Sequence, residues 1–119
     1  MYRSAQPEDW LPHIRHMLEA AERVTSYVGE LSEAEFGTND VVCSATRLKV
    51  ILIGEAASRL TDDLRSEIPD IPWHRIRRMR NIIVHQDDCE DEEPLWDTAT
   101  VLVPKLATTL RGVLAEHGE

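Results

Sequence analysis

An all-α fold, a bundle of four main helices running up and down, is what this sequence predicts, and three observations predict it. Apolar residues recur at the three- and four-residue spacing of a helix face in four separate stretches. No stretch shows the strict alternation of a half-buried strand. Prolines, glycines and capping residues stand at the ends of the stretches, where helices start and stop. Connections this short favour antiparallel neighbours.

The first helix is expected to begin near Asp9, with Pro12 still inside its first turn, where proline is tolerated. Leu11, Ile14, Met17, Leu18, Ala21, Val24 and Val28 form its apolar face, and Gly29 weakens its end. "SEAE" (32–35) is a capping-box pattern that predicts a short helical turn. After a break from Gly37 to Asp40, any of Thr38, Asn39 and Asp40 can cap the second helix, about Val41 to Leu60. That helix is apolar nearly all round, so it reads as a central helix covered on most sides. Its narrow polar stripe holds Ser44, Arg47, Glu55, Ser58 and Arg59. A short turn at 62–66 leads into "IPDIP", whose prolines end one element and launch the third helix, about Pro72 to His85. Pro94 opens a fourth helix through about Ala115, and Pro104 is expected to kink it.

The composition narrows the function classes. The 119 residues fit one domain, and 42% hydrophobic with 29% charged residues is ordinary for a globular chain. The longest nearly apolar run, Val50 to Ile53, is too short to span a membrane, and the start of the chain has no apolar signal segment. Cys43 and Cys89 lack a CxxC spacing and suggest neither a disulfide framework nor a zinc site, so the expected location is a reducing cytoplasm. A formal net charge of −9 argues against non-specific nucleic-acid binding, and no DNA partner is expected. The charge is unevenly spread, however. "HRIRRMR" (74–80) holds four arginines in seven residues and "DDCEDEE" (87–93) six acids in seven.

On the third helix His74, Arg78, Asn81 and His85 form a polar stripe, while Ile76, Met79 and Ile83 face the core. Arg80 lies between the two. A solvated, arginine-rich face accounts for this stripe without any function. The chemistry permits more. An imidazole is suited to general acid–base work, and a guanidinium offers a fork of donors for phosphate oxygens. His85 and Arg80 together would suit RNA cleavage without a metal, the first helping to deprotonate a ribose 2′-OH and the second stabilising the charged phosphate. Five residues turn a helix by about 140°, so the pair does not share a face. Either His85 sits at the frayed end of its helix, or a twofold dimer brings two copies together.

"RNIIVH" (80–85) is an Arg-x4-His motif with a polar residue directly after the arginine, the signature of HEPN ribonuclease domains. With "LKVILIGEAASRL" (48–60), "IPDIPWHRIRRMRN" (68–81), "PLWDTATVLVPKL" (94–106) and "WLPHIRHMLEAAERVTSYV" (10–28), the chain resembles the HepT branch of that superfamily over nearly its whole length. The resemblance implies a single HEPN-type up-and-down bundle of four to five helices across residues 1–119, which pairs as a homodimer with an RNA-cleaving cleft. It implies the toxin of a type II toxin–antitoxin system, a metal-independent endoribonuclease without cofactor, whose partner antitoxin is a minimal nucleotidyltransferase. Arg80 and His85 carry over as catalytic and Asn81 as the residue that orients His85 or a phosphate; Glu55, in the matching "IGEA" segment, and Arg78, from the polar stripe, are candidate supporting or RNA-binding residues. Glu55 could instead pair with Arg59 or Arg78.

One departure stands out. In HepT toxins the histidine is followed by any residue and then by a tyrosine that the antitoxin modifies with AMP. Here the order is His85-Gln86-Asp87, and the only tyrosines are Tyr2 and Tyr27. The covalent switch should be absent, and a catalytically silent module that docks the nucleotidyltransferase is the alternative. A small nucleotide-binding sensor is a third. His13 and His16 at i, i+3, and His85 with Cys89, have ligand-like spacing but no complete metal set. Trp10, Trp73 and Trp96 read as packing anchors.

Overall fold

The structure, a computed structural model, describes residues 6–60, 62–85 and 93–119. All the regular structure among them is helical: α1 (Pro7–Val28), α2 (Glu33–Thr38), α3 (Asp40–Ser58), α4 (Asp62–Glu67), α5 (Trp73–Val84), α6 (Glu93–Asp97), a π-helical turn (Thr98–Leu102) and α7 (Val103–Glu116). The acidic segment with Gln86, Asp87 and Cys89, and Tyr2 at the other end, lie outside the described residues.

Sequence chemistry accounts for most of the boundaries. α1 starts two residues earlier than expected because Pro7 takes the first turn and the Gln6 N–H donates to the Asp9 carboxylate at 3.2 Å. Pro12 therefore lies inside the helix rather than in its first turn. At the other end Gly29, at φ 51°, turns the chain out of α1. The capping box at α2 is formed, with Glu35 N–H to Ser32 Oγ at 3.1 Å and Ser32 N–H to Glu35 Oε1 at 2.9 Å. Of the three candidate caps for α3, Asn39 is the one used, accepting from the Val42 N–H at 3.0 Å.

Pro104 does not bend one continuous helix. The π-helical turn precedes it, and the Val103 N–H reaches back to the Thr98 carbonyl. This wider turn accommodates the ring that would clash with the preceding turn of an α-helix.

α1 packs chiefly against α3 and α7, and α3 against α5. Fully buried Ile14, Met17 and Val24 from α1 meet Val50 and Ile53 from α3, Ile76 and Ile83 from α5, and Leu106 and Leu110 from α7 in one core. The α5 core stripe is the expected one, Ile76, Met79 and Ile83. Trp10 is buried, with the His117 ring edge-on at 4.9 Å, while Trp73 and Trp96 are half-buried against the core.

The molecule measures 51 × 28 × 19 Å, and its thin dimension is about two helix diameters. This corrects the expectation that α3 is covered on most sides. In a slab two helices thick every helix keeps an outer face, and α3 leaves Val41 (78%), Leu48 (55%) and Leu52 (43%) exposed. Cys43, by contrast, is buried on α3 and is not a free thiol, which departs from the expectation that the cysteines form no disulfide.

Candidate active site

The Arg-x4-His motif occupies the last turns of α5. A tryptophan sets the start of this helix: the Trp73 indole N–H lies within hydrogen-bond distance of both the Arg65 carbonyl (3.1 Å) and the Ile68 carbonyl (2.9 Å). Its end is His85, the C-cap residue, exposed and with its backbone N–H directed to the Asn81 carbonyl at 3.3 Å. His85 stands at the helix terminus, yet its αR backbone and its bond to Asn81 keep it on the helical track, so the two side chains remain on different faces within one chain.

Arg80 is held by α3. Its stem crosses that helix at Gly54, where a Cβ would lie 2.4 Å from Arg80 Cγ and 2.5 Å from its Cβ. Only a residue with no side chain permits this approach, since real Cβ contacts do not fall below about 3 Å. One residue further along, Glu55 Oε1 accepts from Arg80 Nε at 3.1 Å and from Nη2 at 2.5 Å. Arg80 Nη1 donates to Asn81 Oδ1 at 3.3 Å. "IGEA" on α3 is thus a cradle: the glycine admits the arginine and the glutamate fixes its guanidinium. Glu55 pairs with Arg80, rather than with Arg59 or Arg78.

Of the five residues singled out from sequence, Arg80, Asn81 and Glu55 form one bonded group, whereas His85 is tied to it only by the helix's own backbone bond to the Asn81 carbonyl. Arg78 is exposed on α5 and does not line the adjoining cavity. That cavity, about 410 Å³, is lined by Gly54, Ala57, Ser58, Arg65, Trp73, His74, Arg77, Arg80 and Asn81. Sequence reading missed Gly54, Arg65 and Arg77. The cavity stripe on α5 is rotated by roughly 70° from the stripe centred on Arg78, which is less than one residue's turn of the wheel. A mid-helix glycine two residues before an alanine pair, Ala56 and Ala57, was the available signal for a close helix crossing.

A second cavity of about 260 Å³ opens between α1 and α3, with His13, His16, Lys49, Glu55 and Arg59 among its lining residues. Glu55 therefore borders one cavity while its partner Arg80 borders the other. Among the described residues no group of three His, Cys, Asp or Glu side chains is placed to hold a metal ion. No helix among them is long and apolar enough to cross a membrane.

Residues 17–113, which include both Arg80 and His85, match the family model described as Ribonuclease HepT-like. The chain is 26% identical over 104 residues to a Methanocaldococcus jannaschii protein named as a gamma-glutamylcyclotransferase and candidate RNase; the match covers 87% of this chain and 47% of that relative. The chain thus spans about half of that relative's length. A candidate RNase from the same organism is 30% identical over 90 residues, covering 76% of this chain and 83% of the relative. A candidate ribonuclease HepT of Thermococcus cleftensis is 27% identical over 94 residues, covering 79% and 86% respectively. No solved structure matches the chain.

Proposed function

The chain belongs to the HepT-like ribonuclease family, and from that premise we propose that it is a metal-independent endoribonuclease acting through Arg80 and His85. The observation that carries this reading is the anchoring of Arg80. Glu55 and Asn81 engage three of its five N–H donors, which leaves one on each terminal nitrogen for a phosphate oxygen. His85, exposed at the helix end, is accessible to a substrate hydroxyl. Its imidazole accepts the proton of a ribose 2′-OH, and the oxygen attacks the adjacent phosphorus. The bond to the 5′-oxygen breaks and that oxygen takes up a proton, leaving a 2′,3′-cyclic phosphate and a 5′-hydroxyl. Arg80 stabilises the charge gathered on the phosphoryl oxygens as the new bond forms.

In this reading residues 1–119 act as one HEPN domain in the cytoplasm, as the toxin of a two-gene toxin–antitoxin system with a minimal nucleotidyltransferase as antitoxin. Two copies pair along α3. Val41, Leu48, Leu52 and Glu55 follow one another at i, i+7, i+11 and i+14, one line along the helix. A second copy seated on that apolar line lies beside the Glu55–Arg80 pair and so completes a shared cleft. The Asp87 that stands where such toxins carry tyrosine favours a second reading, a silent module that only docks the nucleotidyltransferase.

The purified chain incubated with tRNA and mRNA in EDTA separates these readings. Cleavage that survives chelation and is lost in both Arg80→Ala and His85→Ala, at unchanged helicity by circular dichroism, is the expected result. Wild-type-like cleavage by both variants would overturn the assignment. No cleavage by a folded, dimeric wild type would leave the docking module.

A further inference from the structure

The cavity beside the motif has a composition at odds with the rest of the chain. The sequence has 22 acids and 13 basic residues. Among the described residues lining the cavity, however, there are three arginines, Arg65, Arg77 and Arg80, a histidine, His74, and no carboxylate. A hollow with no carboxylate among its described lining residues, in a strongly acidic protein, favours anions locally while the surrounding field repels them.

Its other walls restrict which anion fits. Gly54, Ala57 and Ser58 give α3 a low floor, so the space of about 410 Å³ falls in the range of small-ligand sites rather than of single-ion sites. Trp73 contributes ring surface, and the two carbonyls at its indole N–H tie the ring in place. Ser58 and Asn81 add uncharged polar groups. Arg65 donates to the Ala57 carbonyl and Arg80 to Glu55, whereas Arg77 and His74 stand exposed along the α5 side. A guanidinium fork for a phosphate, an aromatic surface for a base and room for a sugar are the requirements of one nucleotide.

We propose that this cavity is a nucleotide subsite, holding the phosphate on Arg77 and the base against Trp73, and that it seats the RNA nucleotide adjoining the scissile bond. The adjacency to the scissile bond rests on the ribonuclease reading above, through Arg80, which belongs to both the motif and the cavity wall. The nucleotide preference rests on the cavity alone.

Binding is measured on the full chain carrying His85→Ala, so that turnover does not interfere. The probe is a fluorescein-labelled eight-nucleotide single-stranded RNA, with adenosine 5′-monophosphate as competitor. Arg77→Gln in that background is expected to weaken RNA binding by about tenfold, the worth of one charge-assisted contact. Arg75→Gln removes the same charge from the same helix outside the cavity and is expected to change affinity by less than about threefold. Equal losses in both variants, or none in either, would overturn the subsite. Monophosphate binding that depends on Arg77, with RNA binding that does not, would overturn the placement on the RNA strand. If the wild-type chain cleaves no RNA yet the Arg77-dependent binding persists, the ribonuclease reading fails and the nucleotide cavity stands.

Discussion

At the scale of single residues, Arg80 depends on two neighbours on α3 that act in different ways. The Glu55 and Arg80 side chains are 39% and 36% exposed, so their ion pair contributes at most about 1 kcal/mol to stability. Its value lies in orientation. Glu55→Gln keeps the shape and removes the charge; it is expected to leave the urea midpoint nearly unchanged while lowering kcat for RNA cleavage by about tenfold, with KM little affected. Gly54→Ala is a different perturbation. The added methyl meets Arg80 at its Cβ and Cγ, atoms that cannot swing away without moving α5. A loss of about 1–3 kcal/mol from overpacking, partly offset by alanine's better helix propensity, should accompany a fall in cleavage of more than about tenfold. Full activity at native stability would mean that α5 shifts at no cost. The partnership of Arg80 with residue 55 was not legible from the chain, because helical spacing places a side chain on a face but does not say which helix crosses there. Arg77 was missed for the same reason: it is one position from Arg78, and only the packing of α5 on Gly54 decides which of the two lines the cavity.

Elements were more legible, because their boundaries are local chemistry. The Ser32–Glu35 box and the Ile76–Met79–Ile83 stripe follow from side-chain hydrogen bonds and helical period with no knowledge of neighbours, while the α3 cap was narrowed only to Thr38, Asn39 and Asp40, of which Asn39 is used. Pro104 shows where that logic stops. The missing N–H was evident in the sequence, but a π-helical turn ahead of it in place of a simple kink depends on how the α6 end and α7 both reach the core. The α2 box carries a prediction at this scale. Hydrogen bonds donated by the Ser32 N–H, the larger effect, and by the Ser32 hydroxyl hold the Glu35 carboxyl below the usual carboxylate range. A depressed folded-state value means that the cap stabilises α2 above the ordinary carboxylate value and loses that contribution as the pH falls through the depressed one. Thermal midpoints of wild type should therefore fall more steeply than those of Glu35→Gln below about pH 4. Ser32→Ala removes the hydroxyl acceptor and is expected to cost about 1 kcal/mol at neutral pH.

For the whole molecule, the decisive feature is its thinness. An extent of 19 Å leaves no room for a fully enclosed helix, so the apolar all-round pattern of α3 could not be satisfied within one chain. The fold class followed from helical periodicity, yet this exposure could not, since periodicity does not count layers. Leu48→Glu and Leu52→Glu place charge on the outer line of α3 without touching the core, and each should convert a dimer into a monomer by sedimentation equilibrium at unchanged helicity. A concentration-independent monomer mass for the wild type would remove the pairing. The exposed line of Val41, Leu48 and Leu52, read as the proposed seam, also has a kinetic consequence. If the cleft exists only where two copies meet, activity per chain is not a constant of the protein. Well below the dissociation constant the total rate rises with the square of concentration, and above it linearly. On the proposed toxin reading, a few molecules escaping their partner would then be nearly harmless, and injury to the cell would begin at a threshold in copy number rather than in proportion to it.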